Sequence, residues 1–145
     1  MRTKTKDALL IIACSALVSM VAVWPYGSPE PAPPKDRVER GALGFRVYCS
    51  SCHGETAKGD GPMAEHLRTK PADLTRLAQR NDGRFPSDAV YAAIDGREKV
   101  RGHGPGSMPV WGLSLQTSGL AADQEQEVRE KLLDLVAYLE SIQEK

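Results

Sequence analysis

Apolar residues fall into two rhythms along this chain. From Ala8 to Trp24 they run nearly unbroken and without a charge, behind a start that carries Arg2, Lys4 and Lys6. Beyond residue 36 they recur at helical intervals, and no stretch alternates with the period of two that a half-buried strand requires. The spacing predicts an all-α domain. Val38, Ala42, Phe45 and Tyr48 form one stripe on a helix that Asp36 can cap, and Gly41, one turn before Phe45, leaves room for a second helix to come close. Residues 71–80 read as a short helix carrying Leu74 and Leu77 and closed by Asn81-Asp82-Gly83. Ser87 caps another, with Val90 and Ile94 facing inward and Gly96 just past its end. Asp123-Gln124-Glu125-Gln126 is a capping box. It opens the strongest helix of the chain, where Val128, Leu132, Leu135, Val136, Leu139 and Ile142 keep to one face. The glycines of 54–61 mark turns, and the Gly-rich stretch 97–121 reads as a loop with Met108-Pro109 near its centre.

The first apolar run has 17 residues. As a helix it spans roughly 25 Å, the lower limit for crossing a bilayer. Its basic flank places residues 1–7 in the cytoplasm and the rest of the chain outside. Val21, Val23 and Trp24 crowd out a small-residue cleavage site, so a retained anchor over 1–24 is favoured over a cleaved signal peptide. Ile11-Ile12-Ala13-Cys14 also looks like the lipobox of bacterial lipoproteins, although only six apolar residues precede Cys14. All three readings export the domain beyond it. Residues 25–35 form a linker with five prolines, which favours extended polyproline II and a reach of about 30 Å. The domain proper is 36–145.

Charge adds little to this picture. Lys+Arg and Asp+Glu are equal at 19 each, so nothing points to nucleic acid. Residues 123–145 hold seven acids against three bases, which leaves the middle slightly basic. A domain of about 110 residues with few aromatics buries a modest core unaided, and a buried prosthetic group would supply missing apolar volume.

The chemistry concentrates in Cys49-Ser50-Ser51-Cys52-His53. C-x-x-C-H is the spacing of c-type haem attachment: two thiols form thioethers to the vinyl groups, and the adjacent His is held under the iron. Three other readings stand beside it. A thioredoxin-like pair wants a βαβ context that is not visible, and a zinc site wants four tetrahedral ligands. A disulfide across two residues would be strained. Haem also needs a second axial ligand or an open position, for which Met63, His66, His103 and Met108 are the candidates. Met108 is favoured. It lies 55 residues beyond His53, in a loop where Pro109 bars helix, with Val110 and Trp111 as its apolar company. His103 on the same loop is its rival.

With these residues the chain resembles the bacterial class I monohaem c-type cytochromes over about residues 36–143. Four parts carry the resemblance: the Cys49–His53 motif, Gly41 and Phe45 before it, Leu135-Val-Ala-Tyr-Leu139, and Gly106-Ser-Met-Pro-Val-Trp111. It implies the cytochrome c fold, with the first and last helices crossing and Tyr138 against Gly41. It also implies one covalent haem c on Cys49 and Cys52, with His53 and Met108 as axial ligands. Pro62 would lie near His53, its carbonyl accepting the Nδ1 proton, and Trp111 near a haem propionate.

Those features predict a one-electron carrier and no enzyme of its own. Its partners would be redox proteins such as a respiratory complex, an oxidase or a dehydrogenase, at the bacterial inner membrane with the domain facing the periplasm. A haem subunit of a larger complex, and a ligand-binding or catalytic haem protein, are the alternatives. The basic cluster Arg97, Lys99 and Arg101 reads equally as a docking patch and as solvated surface offset by Asp95 and Glu98.

Overall fold

The computed structural model describes residues 33–97, 108–116 and 121–144. The expected anchor, Cys14, all but the end of the linker, and His103, Lys99 and Arg101 lie outside the described residues. Among the described residues there are helices and turns but no strand, so the domain is all-α. No helix among them is long and apolar enough to cross a membrane.

Five α-helices follow one another among these residues: α1 (Lys35–Tyr48), α2 (Ser50–His53), α3 (Ser87–Asp95), α4 (Trp111–Ser114) and α5 (Ala121–Ser141). The core forms where α1 and α5 pack together. Phe45, Leu132, Leu135, Val136 and Leu139 belong to one buried cluster there. Gly41 makes the close approach possible. A Cβ at that position would lie 1.9 Å from the Asp134 carbonyl oxygen and 2.8 Å from Tyr138 Cβ. Phe45 and Tyr138 then meet with their rings tilted by 47° and 5.2 Å between centroids. Arg40 closes the edge of the crossing with two hydrogen bonds, 2.7 and 3.0 Å, to the two carboxylate oxygens of the nearly buried Asp134. Arg37 pairs with the same carboxylate at 3.2 Å, so Asp134 is held by two guanidinium groups.

Several element boundaries differ from the sequence expectation. α1 begins at Lys35, since the Pro34 carbonyl already accepts from the N–H groups of Arg37 and Val38; Asp36 therefore sits in the first turn and pairs with Arg40. Pro86 plays the same part for α3, its carbonyl accepting from Val90 N–H. α5 starts two residues before Asp123, on Ala121-Ala122, the strongest helix formers available. No helix fills 71–80. Two 3-10 turns, Leu74–Arg76 and Gln79–Asn81, stand there instead. Asp73 accepts from both the N–H and the hydroxyl of Thr75, a local bond that competes with regular helix. The stretch 97–121 also contains α4, which begins right after Val110.

Candidate haem-attachment site

Cys49 ends α1 and opens α2, so the chain is close to helical through the whole motif. Its carbonyl accepts from Cys52 N–H (3.2 Å) and His53 N–H (2.9 Å). Residues three and four apart share a helix face, which sets Cys49 beside Cys52 and His53. Both thiols are free and half-buried. Burial pushes the Cys49 thiol up to about 12, with the neighbouring Cys52 adding to the effect. Such a thiol stays protonated at neutral pH, unlike the thiolate of a redox-active pair.

His53 is oriented by backbone. Its Nδ1 lies 3.1 Å from the Ala72 carbonyl oxygen. A carbonyl only accepts, so Nδ1 carries the proton and the Nε2 lone pair is left for a metal. Burial lowers the histidine's pKa, against a smaller opposing pull from Ala72, which favours the neutral ring a ligand needs. The expectation for Pro62 is corrected here: the partner of Nδ1 is Ala72, and Pro62 is exposed. The reason lies in the path of residues 54–74. Gly59 N–H binds the His53 carbonyl (2.8 Å), Gly61 N–H that of Cys52 (3.2 Å), and Leu74 N–H that of Ala57 (2.8 Å). Gly59 takes φ +78, and a Cβ there would lie 2.3 Å from the Pro71 carbonyl oxygen. The loop is thus laced onto residues 71–74, and Ala72 is delivered to the imidazole.

Trp111 packs against Tyr48, the residue before Cys49, with ring centroids 5.6 Å apart and the planes tilted by 55°. Met108 is 38 % exposed three residues earlier, and Val110 and Tyr48 are exposed to a similar degree. Met63 is anchored through its N–H to the Ser51 carbonyl (2.9 Å), in the loop just after the motif, and His66 is exposed on a 3-10 turn. Among the described residues no three His, Cys, Asp or Glu side chains gather as metal ligands, so the zinc alternative finds no support there.

These residues fit a haem c. A free thiol pair stands beside a histidine whose Nε2 has no partner among the described residues, and Tyr48, which directly precedes Cys49, is exposed enough for a flat apolar group to cover. Cys49 and Cys52 would hold it, with His53 on one side of the iron. Sequence reasoning missed the Ala72 carbonyl. Pro71 and the Asp73-x-Thr75 turn were the only signals near it. Compared with protein-family models, curated proteins and solved structures, the chain has no match in any of the three.

Proposed function

We propose that this chain is a one-electron carrier of the class I cytochrome c type, with haem c bound to Cys49 and Cys52 and ligated by His53 and Met108. The observation that carries the reading is the His53–Ala72 bond next to a free cysteine pair, because it presents a neutral imidazole with Nε2 unengaged among the described residues. Haem c, when bound, supplies an Fe(III)/Fe(II) couple. The protein's part would be to hold the iron through His53 and Met108, exclude water and keep its shape. His53 is fixed by the loop lacing, and Met108 offers a thioether, which favours the reduced state and raises the potential. If His53 and Met108 both bind the iron, no small-molecule substrate is expected. The proposed partners are redox proteins of a respiratory chain, an oxidase or a dehydrogenase, met on the exported side of the bacterial inner membrane.

An absorption spectrum of protein made in a host that attaches haem c tests this. Narrow bands on reduction, no change with carbon monoxide, and a sulfur-to-iron charge-transfer band that Met108→Ala abolishes are the expected results. Ready carbon monoxide binding by the reduced wild type would overturn the carrier reading in favour of ligand sensing or catalysis.

A further inference from the structure

We propose that Arg97 is a positioning residue for Met108: its guanidinium clamps the end of α3 to α5, and the backbone of the Met108 segment is seated on that clamp. The inference rests on the His/Met reading above.

Arg97 gives Nε to Asp95 (2.8 Å) and its two terminal nitrogens to the two carboxylate oxygens of Glu125 (2.7 and 2.9 Å). Asp95 is buried at the last position of α3, and Glu125 is in the early turns of α5. A bidentate fork of this kind fixes direction as well as distance. Hydrogen bonding from Arg97 holds Glu125 below the ordinary carboxylate range, so the pair is ionised at neutral pH.

The clamp then meets the segment that follows Met108. Gly112, in α4, lies directly on it: a Cβ there would fall 2.1 Å from Asp95 Oδ1 and 2.5 Å from Arg97 Nε. One residue before Arg97, Gly96 ends α3 in the left-handed region (φ +65), and a Cβ on it would be 3.4 Å from Val110 Cα. Val110 in turn accepts from the N–H groups of Leu113 and Ser114 through its carbonyl. Val110 and Gly112 are therefore both fixed against α3. Only Pro109 separates Val110 from Met108. Its ring sets its own φ and biases Met108 toward extended backbone. Little is left to vary between the sulfur and the clamp but the torsions of Met108 itself. Arg97 is thus engaged within the domain, which removes it from the solvated basic cluster that the charge run suggested.

The test is a titration of the ferric holoprotein with imidazole, which competes with the methionine sulfur for iron. Arg97→Gln removes the fork, and imidazole should bind about tenfold more tightly, the size expected for loss of charged hydrogen bonds. The sulfur-to-iron band should weaken in parallel. Arg97→Lys, which keeps the charge without the fork, should fall between. If Arg97→Gln yields no holoprotein, Glu125→Gln keeps the Asp95 bond and should tighten imidazole binding about threefold. Arg40→Gln serves as the control, since it breaks a comparable bidentate pair at the α1–α5 crossing and should leave imidazole affinity unchanged. Unaltered affinity in both clamp variants, or an equal increase in Arg40→Gln, would overturn the clamp while the His/Met reading stands. A wild-type protein with no sulfur-to-iron band would instead overturn that reading, and the clamp with it.

Discussion

On the His53 side of the proposed haem site the holding groups are peptide groups; on the Met108 side they are side chains. His53 is bound through the carbonyl of Ala72, and its own carbonyl is taken by Gly59 N–H. Those bonds depend on the course of residues 54–74 and on no side chain at the contact. The Met108 segment rests on Asp95 and Arg97, and on the tilted ring contact of Trp111 with Tyr48. A backbone lattice tolerates many side-chain changes and yields only when the chain path changes. A side-chain clamp can be weakened by one substitution and graded by its choice. The His53 and Met108 sides of the proposed site are therefore expected to differ in kind: one permanent, one adjustable.

The largest effect should come from breaking the lattice. Gly59→Ala would put a Cβ 2.3 Å from a backbone oxygen, at φ +78, where neither the neighbour nor the torsion can give cheaply. A loss of about 3 kcal/mol is expected, combining left-handed strain with a backbone shift. Urea unfolding of the intact protein measures it. A loss under about 1 kcal/mol would mean that the loop does not hold residues 71–74 as described.

Gly112→Ala is the matching change on the other side. Its Cβ would meet the tips of Asp95 and Arg97, which can swing aside at the expense of their hydrogen bonds, so about 1.5 kcal/mol is expected. In an Arg97→Gln background the same substitution should cost less, giving a coupling above about 0.5 kcal/mol in a double-mutant cycle. Strict additivity would show that Gly112 and the clamp are independent, and the contrast between the two sides would lose its basis.

The same contrast explains what was legible in the sequence. The α1–α5 crossing was, because Gly41, Phe45 and Tyr138 announce themselves by residue type and helical spacing. The cysteine pair and His53 could be singled out as a candidate site by residue type and spacing alone. The acceptor for His53 could not. A backbone carbonyl has no letter of its own, and Ala72 reaches the imidazole only through the folded path of residues 54–74. The helix expected over 71–80 failed for a related reason: Leu74 and Leu77 have helical spacing, but Asp73 captures Thr75 and tightens the chain into a 3-10 turn. Arg97 was hidden differently. It sits in a run of charges that looks like ordinary surface, and its partner Glu125 is 28 residues away.

The smallest effect concerns that Asp73 turn, which follows Ala72 directly and so supports the lattice from its edge. The hydrogen bonds from Thr75, at 2.6 Å to the hydroxyl and 2.9 Å to the N–H, hold the Asp73 carboxyl below its ordinary value. A carboxyl whose pKa is depressed by folding adds stability that is fully present above its unfolded value, near 3.8. That stability is lost as pH falls through the lower folded value. Because Asp73 is partly exposed, the contribution should be no more than about 1 kcal/mol. Other carboxylates titrate in the same range, among them Glu144, which Lys58 and Arg76 hold low. The useful quantity is therefore the difference between wild type and Asp73→Asn. The asparagine oxygen can still accept from Thr75 but does not titrate. Unfolding free energies from about pH 6 down to about pH 2.5 should converge as pH falls, with the wild type losing its advantage below about pH 4. A constant gap between the two proteins across that range would show that the turn stands on its hydrogen bonds alone, and that ionisation of Asp73 adds nothing to the backbone holding His53.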